Sequence, residues 1–179
     1  MVLVPGEHYR CIRELTVEDL EQLQRWDQDA EITALSGKKF AKEEGNESGW
    51  WEGLLSSRVR MGFAIVAGTQ LIGDVELEHI GWRAHQAELR ISIGDKSYWN
   101  QGIGTSAVRE VLDLAHRRLA LHQIYLRVNK DNARAIRAYK KAGFKKVAKL
   151  VANGRLEGTS DLILMEYCSD SSQYVALKA

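Results

Sequence analysis

The residues best suited to chemistry are two glycines, Gly102 and Gly104, in the run Ile91-Ser92-Ile93-Gly94-Asp95-Lys96-Ser97-Tyr98-Trp99-Asn100-Gln101-Gly102-Ile103-Gly104-Thr105. Upstream of them lies an alternating apolar segment, and downstream an apolar pattern of helical period. At such a junction the first backbone N–H groups of the helix lack intrahelical partners and carry roughly half a positive charge, so an anion is stabilised there. Glycine lets a phosphate approach the backbone without a Cβ in the way. A bare Gly-x-Gly more often marks only a tight turn, so the surroundings must decide. A dinucleotide fold would need a third glycine, where Ala107 stands, and would place the loop after its first strand rather than after several. A phosphate loop of the Gly-Lys-Ser/Thr type is absent as well.

The chain resembles the GNAT N-acetyltransferase superfamily, in the branch of the ribosomal-protein alanine and diamine acetyltransferases. The resemblance rests on Ala87-Glu88-Leu89, Ile93-Gly94, the run Tyr98 to Thr105, and Asn129 through Asn132-Ala133-Arg134-Ala135 to Tyr139-Lys140-Lys141-Ala142-Gly143-Phe144. Together with the element order it covers about residues 8–167. The family loop is usually Gln/Arg-x-x-Gly-x-Gly/Ala. Trp99 departs from its first position, and Gln101 is placed to compensate in part.

That resemblance implies acetyl-CoA as cosubstrate and a sheet splayed between its fourth and fifth strands, into which the pantetheine arm inserts as a false strand. The backbone of Ile91 and Ile93 would bond the arm, the loop Asn100, Gln101, Gly102, Ile103, Gly104 and Thr105 would hold the diphosphate, and Asn132 and Tyr139 would meet the cofactor from the next helix. Transfer to an amine needs a free lone pair, yet an alkyl amine with a pKa of about 10 is protonated at neutral pH. Glu88 matches the carboxylate that removes this proton, with Glu76 and Glu78 in reserve, and Tyr139 matches the donor that protonates the departing thiolate. Read without the resemblance, Glu88 is a surface carboxylate of a half-exposed strand and Tyr139 a core residue beside Ala135 and Ile136.

Lys and Arg total 25 against 24 Asp and Glu, a net charge of +1 that gives no reason to expect nucleic acid or an anionic membrane as partner. The five histidines show no metal-ligand spacing and read as structural, with His85 beside the fourth strand as the one within reach of a substrate. Cys11 and Cys168 share no Cys-x-x-Cys spacing and read as reduced. The first six residues are too short for a signal-peptide core and no run of eighteen apolar residues occurs, so a cytoplasmic protein is expected. Acidic residues Glu18, Asp19, Glu21, Asp27, Asp29 and Glu31 would attract a cationic amine or simply line a solvated face. Trp50-Trp51 read as core, as a homodimer contact, or as cover for the acceptor site.

The elements that must position these groups follow from periodicity. A strand is expected over 8–15, a helix from Thr16 as N-cap to about Gln28, a mobile loop over 37–45 and a second helix over 46–57. Three antiparallel strands follow at 61–67, 70–80 and 86–93. Then come a helix over 104–119, a strand over 121–128, a helix over 132–142 capped by Asn132 and ended by Gly143, and a closing strand pair over 144–151 and 161–167, joined by a turn at Asn153-Gly154 or by a loop through Gly158. The fold class is therefore α+β, a mixed sheet of about seven strands flanked by helices, in one domain over 1–179 with a loose tail from Cys168. Two further readings draw on the same loop: a non-catalytic CoA-binding module, and a nucleotide-binding regulatory domain.

Overall fold

The computed structural model describes residues 11–36, 57–151 and 161–169. Seven strands form one sheet: β1 (Ile12–Glu14), β2 (Met61–Ala67), β3 (Gln70–Gly81), β4 (Gln86–Ile93), β5 (Gln123–Asn129), β6 (Lys145–Leu150) and β7 (Leu162–Cys168), in the order β1-β2-β3-β4-β5-β7-β6. Every neighbouring pair is antiparallel except β4 and β5. The helices are α1 (Asp19–Asp27), α2 (Ala30–Ser36), α3 (Ile103–Leu119) and α4 (Ala133–Ala142).

The alternation of the strands separates the two faces of the sheet. Phe63, Ile65, Val75, Leu77, Ala87, Leu89, Ile124 and Leu126 share one buried cluster with Val108, Val111 and Leu112 of α3 and Tyr139 of α4. Each of the larger side chains contributes about 1.5–3 kcal/mol by leaving water. Ala64, between Phe63 and Ile65, turns to the other face, where Leu15 and Leu23 pack with Trp26 of α1. That second face also carries Glu76, Glu78, Glu88, Arg90 and Arg127, whose strand neighbours face α3.

The parallel pair is short. β4 and β5 are in register only at Gln86↔Gln123, Ala87↔Ile124 and Glu88↔Tyr125, whereas β4 stays paired with β3 out to Gly73↔Ile93 and β5 with β7 out to Asn129↔Leu162. Each half of the sheet holds its own outer partner, so past Glu88 the two strands diverge. This is the splay between the fourth and fifth strands that the resemblance implies.

Helix boundaries agree with the capping chemistry in α4, where Asn132 Oδ1 accepts from the Ala135 N–H at 3.0 Å and Gly143 closes the helix at φ 105°. Thr16, however, is not the cap of α1: Glu18 holds that position without a side-chain bond. The Thr16 N–H and hydroxyl instead donate to Asp19 Oδ2, and the Asp19 N–H donates back to the Thr16 carbonyl, so a turn precedes the helix. The sequence reading also missed α2, whose start is held by Asp29 Oδ1 accepting from the Glu31 and Ile32 N–H groups. The loop expected over 37–45 and the helix expected from 46 lie outside the described residues, as do Trp50-Trp51, the turn at Asn153-Gly154 or loop through Gly158, and positions 170–179. Ser57, expected to end that helix, is not helical. Cys168, assigned to the tail, is the last residue of β7.

Candidate active site

Where β4 and β5 part, a cleft of about 650 Å³ opens between them and runs to the start of α3. Its walls include Glu88 to Ile93 from β4, Trp99, Asn100, Gly102, Gly104 and Thr105 from the loop, Arg127 to Asn129 from β5, Asn132, Arg134 and Tyr139 from the α4 region, and Ile32, Ala34 and Leu35 from α2. Of the residues expected to meet the cofactor, Gln101 and Ile103 are not among the lining, and neither are the reserve carboxylates Glu76 and Glu78. Gln101 Nε2 donates to the Ser97 carbonyl at 2.6 Å, and Ile103 packs against the core.

The loop is shaped as its glycines suggested. Gly102 caps α3 at φ 84°, ψ −8°, a left-handed conformation that glycine adopts without penalty, and Asn100 sits at φ 63°. The Ser106 N–H makes the bond to the Gly102 carbonyl, so the amides of Ile103, Gly104 and Thr105 precede the helix ladder, at the end of the cleft that Gly102, Gly104 and Thr105 line. Together with the helix dipole and Arg134, they make this end of the cleft ready for an anion.

Trp99 takes a role the sequence reading did not foresee. Its Nε1 donates to the Ile93 carbonyl at 2.8 Å, and the Arg134 guanidinium lies 3.5 Å from its ring centroid. The indole thus ties the end of β4 to the loop and holds a cation beside it. Burial lowers the Arg134 pKa from its ordinary range while Glu31 opposes that shift. The Ser92 carbonyl points at β3, close enough that a Cβ on Gly73 would collide with it. Strand alternation then turns the backbone of Ile91 and Ile93 toward the gap, with the Ile93 carbonyl already engaged by Trp99.

Glu88 is the last β4 residue in register with β5, and it is 3% exposed rather than solvent-facing. Arg127 grips it with two bonds, Nε to Oε1 at 2.9 Å and Nη2 to Oε2 at 3.0 Å, which pushes the guanidinium pKa further up. His79 Nδ1 lies 3.2 Å from Oε2. The carboxylate belongs to a ribbon of charge across the second face: Arg60 bridges Glu76 and Glu78 at 2.7 and 2.8 Å, and Arg90 meets Glu78 at 2.8 Å. Three carboxylates thus face three guanidiniums.

Tyr139 is buried, lines the cleft, and packs 5.9 Å from the Phe144 ring. Asn132 lines it too, but both ends of its side-chain amide are engaged, Oδ1 accepting from the Ala135 N–H and Nδ2 donating to the Leu35 carbonyl at 3.2 Å. It therefore ties α2 across the cleft. The acidic cluster of the first helices is largely occupied as well: Asp19 is buried against Arg13, and Asp29 and Glu31 hold Lys96 at 2.8 and 2.7 Å. His85 Nδ1 donates to the Ala120 carbonyl at 2.8 Å, and its ring sits tilted 5.4 Å from that of His122, away from the cleft lining. Among the described residues, no group of three His, Cys, Asp or Glu side chains is arranged to hold a metal, and no helix is long and apolar enough to cross a membrane.

A parallel strand pair that opens toward an anion-ready helix start is the arrangement the resemblance implies for an acyltransferase. The chain belongs to the GNAT acetyltransferases, since the model of the acetyltransferase (GNAT) domain matches residues 10–145. It is similar to the spermidine N(1)-acetyltransferase of Escherichia coli K12, 27% identical over 141 residues that cover 79% of this chain and 75% of the relative. Its fold matches the spermidine N-acetyltransferase of Vibrio cholerae in complex with CoA and spermine, with a TM-score of 0.78 at 24% identity over 88% of this chain and 94% of that one. It also matches Mycobacterium smegmatis RimJ in complex with CoA-disulfide, with a TM-score of 0.75 at 17% identity over 93% of this chain and 88% of the other.

Proposed function

We propose that this N-acetyltransferase uses acetyl-CoA and transfers the acetyl group to a primary aliphatic amine of the polyamine class by direct attack. The observation that carries the reading is the parting of β4 and β5 past Glu88, in line with the free amides at the start of α3. Acetyl-CoA supplies the activated thioester. The amides of residues 103–105 and the nearby Arg134 are suited to its diphosphate, and the backbone of Ile91 and the Ile93 N–H to its amides. Glu88 would take the proton of the attacking ammonium, and the Tyr139 phenol would return one to the thiolate.

The choice of a polyamine rests on the names of the relatives, two of which are spermidine acetyltransferases. The site adds a constraint. The three carboxylates of the ribbon, Glu88 among them, are matched by three guanidiniums, so the site presents no acidic trough to the acceptor. Thioester cleavage measured with spermidine, spermine, an amino acid and a peptide N-terminus tests the proposal. CoA release above background with the polyamines is expected, and its absence with every amine would favour a CoA-binding module without catalysis. Tyr139→Phe keeps the packing against Phe144 and should lower turnover by about 10²-fold while CoA binding persists.

A further inference from the structure

A proton accepted by Glu88 would have to leave a carboxylate that is 3% exposed. Arg127 donates to both of its oxygens and Arg90 Nε stands 4.0 Å from Oε1, but guanidiniums stay charged and cannot accept a proton. Tyr125 on the adjoining strand has its phenol pushed up by burial, then by Glu88 and Glu78, so it keeps its proton. The remaining described contact is His79, whose side chain is 63% exposed while its Nδ1 lies 3.2 Å from Glu88 Oε2. One ring therefore touches both the buried carboxylate and water.

This contact is not what a regular strand would give. Glu78 pairs with Glu88, so residue 79 of an unbroken strand would point to the opposite face of the sheet. Between Glu78 and Gly81 the register shifts, and His79 adopts φ 50°, a left-handed conformation that costs a non-glycine residue about 1–2 kcal/mol. The bulge swings the imidazole back over the carboxylate.

We propose that His79 is a positioning and relay residue that carries the acceptor's proton from Glu88 to solvent. The inference rests on Glu88 acting as the base. The N–H bond of the ammonium breaks as an O–H bond forms on Glu88; that O–H bond then breaks as the proton passes to Nδ1 of the neutral ring in its Nε2–H tautomer, and the imidazolium releases its Nε2 proton to water. The exposed ring regains its starting tautomer by exchange with solvent. The charged and titratable groups facing this pair are Glu78, Arg90, Tyr125 and Arg127, with Arg60 and Glu76 one step further along the ribbon.

The test is steady-state turnover at low buffer concentration for the wild type, His79→Asn, His79→Gly and Glu88→Gln. Asparagine and glycine both tolerate a left-handed backbone, and neither passes a proton. His79→Asn should lower kcat about tenfold with the KM for acetyl-CoA unchanged, and should change the pH dependence of kcat. Added imidazole should restore the rate of His79→Gly. Wild-type kcat and pH profile in both His79 variants would overturn the relay, as would a loss that imidazole does not repair. Glu88→Gln at wild-type speed would instead remove the base on which the relay depends, and a wild type that releases no CoA with any amine would remove the proposed reaction itself.

Discussion

Replacing Gly102 by alanine separates what the loop does for the fold from what it does for the cofactor. Gly102 sits at φ 84°, and a Cβ built there meets nothing within 4 Å, so the change introduces no clash. Its cost to folding is conformational, about 1–2 kcal/mol for a non-glycine residue in the left-handed region. For a chain of 179 residues that corresponds to a fall in Tm of about 3–5 °C. Gly68, in the turn between β2 and β3, provides the control, since it has φ 62° and equally empty surroundings but does not line the cleft. Gly68→Ala should lose the same few degrees and bind CoA as the wild type does. Gly102→Ala places its methyl where the diphosphate would approach the α3 amides, so its CoA affinity should fall at least about tenfold, or 1.4 kcal/mol. Thermal melts and calorimetric titration with CoA read the two effects independently. If Gly102→Ala lost its degrees and still bound CoA like the wild type, the diphosphate would rest elsewhere, and the assignment of this loop would fail.

Gly94→Ala should be more costly to the fold, because the new Cβ would fall within the Trp26 indole of α1. Overpacking of this kind costs about 1–3 kcal/mol, to be read as a lower urea midpoint. The Asp19 carboxyl would be raised by its burial, but the Arg13 hydrogen bonds and the Thr16 N–H and hydroxyl outweigh that and hold it below its ordinary range. A depressed carboxyl stabilises the fold fully above its unfolded pKa of about 3.9 and loses that contribution as pH falls through the folded value. Asp19→Asn should therefore lower Tm at pH 7, and the gap should close in acid below about pH 4; a gap independent of pH would refute the linkage. The Cys11 thiol is pushed up to about 12 by burial and by the nearby Glu110 carboxylate, while Cys168 is exposed. A disulfide reagent near pH 8 should titrate one thiol per native chain and two after denaturation.

Much of this protein could be read from local chemistry. The three consecutive strands of the middle, α3 with its period of apolar residues, and α4 between Asn132 and Gly143 depend on side chains a few residues apart, so the sequence carries their signal directly. The glycine loop belongs to the same class, because a left-handed cap at a helix start needs only its own residues. α2 escaped notice because seven residues are too few for periodicity, and its start depends on Asp29 serving as a local acceptor. Thr16 was misread because a threonine three residues before an aspartate suits a turn as well as a cap, and Asp19 was drawn instead into the pair with Arg13.

What belonged to tertiary structure alone was the setting of the carboxylates. Glu76, Glu78 and Glu88 alternate as ordinary half-exposed strand residues do, and nothing in their spacing places Arg60, Arg90 and Arg127 against them. Those arginines come from 12 to 39 positions away and meet them only when β3, β4 and β5 lie side by side. The same holds for His79, which a register shift between two strands turns onto Glu88, and for the parting of β4 from β5. Such features arise from pairing between segments, and strand pairing is fixed by the assembled sheet rather than by any one stretch of the chain.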